Sequence, residues 1–133
     1  TLKPYLDAGK VVPFSGTSEI LPGLTGTVHP GHTPGSAFYT LTSKGEKITF
    51  VGDIIHAAAV QFPQPAVTIT YDEDENKAAS VREHAFADFV KNKDLIAAPH
   101  LPFPGIGYVT KGEKGGYAWV PVTYTNRDAS SAK

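Results

Sequence analysis

The strongest constraint in this sequence is one helix-period stretch with strand-like segments on both sides of it. After the acidic run Asp72-Glu73-Asp74-Glu75, residues Ala78, Val81, Ala85, Phe86, Phe89 and Val90 recur at three- and four-residue intervals and form one apolar stripe. The pattern predicts a helix of about 16 residues ending at Lys91 or Asn92. The acidic run is read as its N-terminus, where carboxylates meet the positive end of the helix dipole. Upstream, Gly26 to His29 reads as a strand leading into Pro30-Gly31. Ser36 to Thr42 alternates, with Phe38, Thr40 and Thr42 on one face and Ala37, Tyr39 and Leu41 on the other. The turn Lys44-Gly45-Glu46 joins it to a strand over Lys47 to Val51, giving a hairpin.

Downstream, Asp94 to Ala98 reads as a short buried strand stopped at Pro99-His100. Gly107 to Thr110 and Tyr117 to Val122 flank a turn and form a second hairpin. Leu2 to Gly9 fits a short helix closed by Gly9. Val11 to Phe14 is a short apolar stretch, Leu21-Pro22-Gly23 a turn, and Phe62 to Pro65 a Pro-broken loop. Strands, one helix, then strands imply a layered, mixed α/β fold. The chain has 133 residues, with Gly and Pro spread along it rather than pooled in a linker, and one domain is the expectation.

Composition excludes several kinds of function. Lys plus Arg number 12 against 13 Asp plus Glu, so no basic surplus exists to neutralise phosphates and no nucleic-acid partner is expected. There is no Cys, which removes disulfides, thiolate-bound zinc, iron–sulfur clusters and thiol catalysis but leaves the compartment open. No apolar run approaches the roughly 18 residues of a membrane span, and none is expected to enter a membrane. The chain opens at Thr1 with sequence that reads like the middle of a protein, so a fragment or processed product is the expectation.

Imidazole and carboxylate remain as strong metal ligands. His32 follows a strand, Asp53 ends one, and His100 ends another, and loops leaving strand ends can aim side chains at a common point. His32 sits in Gly31-His32-Thr33-Pro34-Gly35-Ser36, where Pro34 holds Thr33 extended and the glycines permit a tight turn. Read alone, it is a displayed ligand or an exposed turn histidine. Asp53 is a turn residue or a ligand, with lone pairs enough to bridge two cations. His100 is a semi-buried histidine or a ligand. His56 lines a pocket, orients a ligand or lies exposed on its loop. Tyr71 and Phe62 either cover a site or pack in the core. His84 is read as an exposed helix residue and His29 as part of a strand end.

Taken together, Gly-His-Thr-Pro-Gly-Ser at 31–36, Val-Gly-Asp at 51–53 and Pro-His-Leu-Pro-Phe-Pro-Gly at 99–105 resemble the second half of the metallo-β-lactamase superfamily. The spacings are 21 residues from His32 to Asp53 and 47 from Asp53 to His100. Within it, Asp53 to Thr68, Ala85-Phe86-Ala87-Asp88 and Phe103-Pro104-Gly105-Ile106-Gly107 resemble the methyl parathion hydrolase-like members, as do Leu2-Lys3-Pro4-Tyr5 and Pro13-Phe14-Ser15-Gly16. The resemblance implies an αββα sandwich of which residues 1–133 supply the C-terminal half.

It also implies two divalent cations, zinc first, with manganese, cobalt or iron as alternatives. His32 would hold one, His100 the other, and Asp53 would bridge them as the catalytic carboxylate. The family's other ligands lie in an upstream His-x-His-x-Asp-His motif that this sequence lacks, so three of seven expected ligands are present. The implied chemistry is attack by a metal-activated hydroxide on a phosphotriester, lactone or aryl ester. The implied partners are such a small-molecule ester, the missing N-terminal half, and a second copy in a homodimer. The isolated half is expected to expose the face meant for its partner. The competing reading is a non-catalytic binding or structural module on a half-fold.

Overall fold

The computed structural model describes residues 2–124. A short helix α1 (Lys3–Asp7) precedes strands β1 (Thr17–Leu21), β2 (Leu24–Val28), β3 (Ala37–Ser43) and β4 (Glu46–Phe50). A 3-10 turn (Gly52–Ile54) and a one-turn helix α2 (Ala58–Gln61) lead to the long helix α3 (Glu75–Asn92). Strands β5 (Ile96–Ala97), β6 (Ile106–Lys111) and β7 (Tyr117–Pro121) follow. The strands form one sheet in the order β1 to β7. Every neighbouring pair is antiparallel except β4 and β5. A parallel pair needs a long crossover, and α3 lies in that connection.

Register decides which face each residue occupies. Thr27 pairs with Phe38, Thr40 with Thr49, Thr49 with Ile96, Ile96 with Gly107 and Val109 with Trp119, which puts all of them on one face. Helix α3 covers this face with its stripe. Phe86 and Ile96 are fully buried, and Phe38, Phe89, Ala85 and Val109 complete the core around them. Burying a side chain such as Phe86 contributes about 1.5–3 kcal/mol. On the opposite face Tyr39, Leu41, Phe50, Tyr108 and Val120 stay exposed. There Phe14 meets Tyr39 edge-on with ring centroids 6.1 Å apart, and a side chain at Gly26 would strike the Phe14 ring.

The expected helices and hairpins are present with small shifts in their ends. Three elements go beyond the sequence reading: β1, the 3-10 turn and α2. The apolar stretch Val11 to Phe14 forms neither helix nor strand. The acidic run divides its labour. Asp74 caps α3, its carboxylate accepting from the Lys77 amide at 3.0 Å, whereas Asp72 is buried and takes another task. Among the described residues, no helix is long and apolar enough to cross a membrane.

Candidate metal centre

Strand direction explains why residues far apart in sequence meet. Strand β2 runs antiparallel to β3, and β3 antiparallel to β4, so β2 and β4 point the same way; β5 runs parallel to β4. Their C-terminal ends therefore share one edge of the sheet. His32 follows β2, Asp53 follows β4 and His100 follows β5.

Each loop is held locally. The Gly31–Ser36 turn is closed by the Ser36 hydroxyl, which accepts from the Thr33 amide at 3.0 Å and lies 2.8 Å from the Thr33 hydroxyl. Its backbone is pressed against the start of α3. The Glu73 amide donates to the His32 carbonyl at 3.0 Å and the Asp74 amide to the Gly31 carbonyl at 3.1 Å. A Cβ on Gly31 would come within 2.6 Å of the Ala78 nitrogen, so this approach requires glycine.

The side chains converge on Asp53. His32 Nε2 lies 3.5 Å from Asp53 Oδ2, and His100 Nε2 lies 3.1 Å from Asp53 Oδ1. The His56 ring sits between the two imidazoles, with centroids 4.9 Å from His32 and 4.5 Å from His100. One donor atom each from His32, Asp53 and His56 falls within 4.8 Å of the others. Burial, reinforced by the neighbouring His100 and His32, lowers the His56 pKa against the opposing pull of Asp53 and Asp72. His56 Nδ1 is buried with no hydrogen-bond partner.

Asp72 reveals what the cluster is built to face. Its carboxylate is inaccessible to solvent, and His32 Nδ1–H donates to Oδ1 at 2.9 Å. Burial alone would raise the Asp72 pKa. Hydrogen bonds from His32 and the Ile69 amide, with the Arg82 charge, outweigh it and hold the group below its ordinary value. An ionised carboxylate only accepts, so it fixes a proton on Nδ1 and turns Nε2 toward the centre of the cluster. Nε2 in turn faces Asp53 Oδ2. An imidazole nitrogen and a carboxylate oxygen turned toward one point form a donor set that suits a divalent ion of the zinc type.

The other expected site residues separate. Phe62 is 3% exposed and stacks on Phe86 and Trp119 at 5.1 and 5.8 Å. It belongs to the core, packed against α3, which is the second of the two readings its sequence left open. Tyr71 is exposed, at 76%. His29 stacks on Phe38 at 3.9 Å, and His84 stays exposed beside the Ser80 carbonyl. Two residues escaped the sequence reading. Asp72 was hidden in a run of four carboxylates. Arg82, a charged residue among the apolar positions of α3, is 1% exposed; its spacing of four from both Ala78 and Phe86 puts it on the buried stripe.

Comparison with known proteins identifies the family of this fold. Residues 2–100 match the family model of the metallo-beta-lactamase superfamily, to which the chain belongs. The hydrolase AbOPH, described as in the beta lactamase superfamily, is 40% identical with a TM-score of 0.86, over 94% of this chain and 43% of its own. AidC, a dizinc quorum-quenching lactonase solved with a homoserine product, is 28% identical with a TM-score of 0.83, over 94% of this chain and 43% of its own. A probable metal-dependent hydrolase from Staphylococcus aureus shares the fold at 18% identity and a TM-score of 0.63, over 90% of this chain and 42% of its own. The chain thus spans less than half the length of these solved relatives. No curated protein sequence matches.

Proposed function

We propose that this chain is the C-terminal half of a dinuclear metal hydrolase acting on small esters. The observation that carries the reading is Asp53, which offers one oxygen toward His32 and the other toward His100. In this reading Asp53 bridges two cations, His32 holds one and His100 the other. Divalent cations, zinc before manganese, cobalt or iron, would supply acidity to a water and polarise the substrate oxygen. His32, fixed by Asp72, presents a neutral donor of defined orientation. His56, uncharged at neutral pH by the direction of its shift, faces the same space and lines the substrate side.

Three residues do not complete two coordination shells. The remaining ligands would come from an N-terminal half, and the apolar face of Tyr39, Leu41, Phe50, Tyr108 and Val120 is the surface such a half would cover. The proposed substrates are phosphotriesters, lactones and aryl esters. AidC, a lactonase, supports the lactones among them, AbOPH supports hydrolysis in general, and the sequence patterns favour the methyl parathion hydrolase-like members. A homodimer is the proposed assembly.

The test uses the full-length gene product that carries this chain. Bound zinc should be measured, and a phosphotriester, an acyl-homoserine lactone and an aryl ester assayed with and without chelator. Turnover that a chelator abolishes, and that His32→Ala, Asp53→Ala and His100→Ala each remove, is the expected result. Activity surviving all three substitutions would refute the assignment. A protein that binds neither zinc nor ester would instead be a non-catalytic module.

A further inference from the structure

Arg82 is a buried charge, 1% exposed, and α3 carries it on the stripe that otherwise packs the core. Burying a guanidinium is costly unless its donors are satisfied. Here they are. Nε–H donates to the Ile54 carbonyl at 2.6 Å, and Nη1 donates to the Pro65 and Val67 carbonyls, both at 2.8 Å. Nη2 lies 3.5 Å from Asp72 Oδ2.

The partners matter more than their number. Ile54 directly follows Asp53 and stands two residues before His56. Pro65 and Val67 belong to the return of the same loop. Asp72 is the carboxylate that holds His32. A second buried side chain extends the tie. Gln61 accepts from the His56 and Ala57 amides at 2.7 and 3.0 Å and donates to the Val67 carbonyl, the same oxygen that Arg82 grips. One planar cation thus connects three stretches that reach the site from different directions.

We propose that Arg82 is a positioning residue of the metal centre. Without touching cation or substrate, it sets the placement of His32, through Asp72, relative to His56 and Asp53 on the loop it clamps. A fork of fixed donors suits this task, because it defines angles as well as distances; a lysine ammonium in its place would satisfy fewer carbonyls and fix no plane. The proposal rests on reading the cluster as a metal site, and its test separates the two.

Arg82→Gln and Arg82→Lys should be made in the full-length gene product and checked for folding by circular dichroism. In metal-free protein, long-range nitrogen NMR of the imidazoles reads the tautomer of His32 and the ring shifts of His56. Zinc affinity is measured by chelator competition, and the visible spectrum of the cobalt-substituted protein reports ligand geometry. The expected result in either folded variant is movement of both His32 and His56 ring signals, an altered cobalt spectrum, and zinc affinity lower by about 10–100-fold. A folded variant with unchanged ring signals and zinc affinity within twofold of the parent would overturn the proposal. If the parent binds no zinc, the metal-site reading fails, and the ring signals alone decide the role of Arg82. If neither variant folds, exchange of the parent's Arg82 Nε–H decides: slow exchange supports the clamp, and exchange as fast as at a surface arginine overturns it.

Discussion

The two arms that reach Asp53 are built differently. On one side, His32 has a side chain only 16% exposed, its Nδ1 held by Asp72 and its turn seated on α3. On the other, the His100 side chain is 45% exposed and approaches Asp53 from the loop after β5. Among the described residues, its recorded polar contact is Asp53 itself. A ring held at Nδ1 by a buried carboxylate has the direction of its Nε2 fixed before any cation arrives. A ring held by one polar contact and a stacking neighbour is freer to take its direction from what binds. The difference teaches that the His32 arm is the pre-organised part of this centre and the His100 arm the adaptable one.

Removing what the two arms share should have the largest effect. Asp53→Ala takes away the contact of both rings, and zinc affinity of the full-length protein should fall beyond the roughly 10–100-fold that a lost supporting hydrogen bond costs. Metal analysis after dialysis checks it. Asp72→Asn strikes the pre-organised arm alone. The amide can donate where the carboxylate could only accept, so the Nδ1 proton loses its fixed place and zinc affinity should drop by about 10–100-fold, read by chelator competition. Retained affinity would erase the distinction between the arms.

Gly31→Ala tests the seat of the same arm. Its Cβ would meet the Ala78 backbone at 2.6 Å, and an overpacked contact of this kind costs typically about 1–3 kcal/mol, measurable by urea unfolding. The exposed arm should be more forgiving. Phe103, on the His100 loop, is exposed and meets Tyr124 edge-on at 5.0 Å. Phe103→Ala should change stability by no more than about 0.5 kcal/mol.

The smallest effect expected is one of pH. Burial lowers the pKa of His29, so between that value and the unfolded one of 6.5 the unfolded chain binds a proton that the native chain refuses. Stability should therefore decline as pH falls below about 6.5. His29→Gln should flatten part of that slope in urea midpoints taken on either side of it.

Much of the fold was legible because its signals are local. The stripe of α3, the alternation of β3 and the Lys44-Gly45 turn each depend on residues close together in the chain. The strand β1 was not legible, because it is an edge strand, mostly exposed and irregular in register between Glu19 and Leu21. The convergence of His32, Asp53 and His100 was suggested by their places after strands and by resemblance, whereas the spacing between them says nothing of a meeting point.

The sequence by itself determined the elements, the apolar faces and the stock of donors: five histidines, no cysteine and a set of carboxylates. Those follow from residue identity and short-range periodicity. Only the tertiary structure decided that Asp72 holds His32 rather than capping the helix, that Phe62 joins the core, and that a charged Arg82 is buried with its donors on the Ile54, Pro65 and Val67 carbonyls. Each depends on which distant backbone groups come within hydrogen-bonding reach, and that is fixed by strand direction and helix docking rather than by any neighbour in the chain.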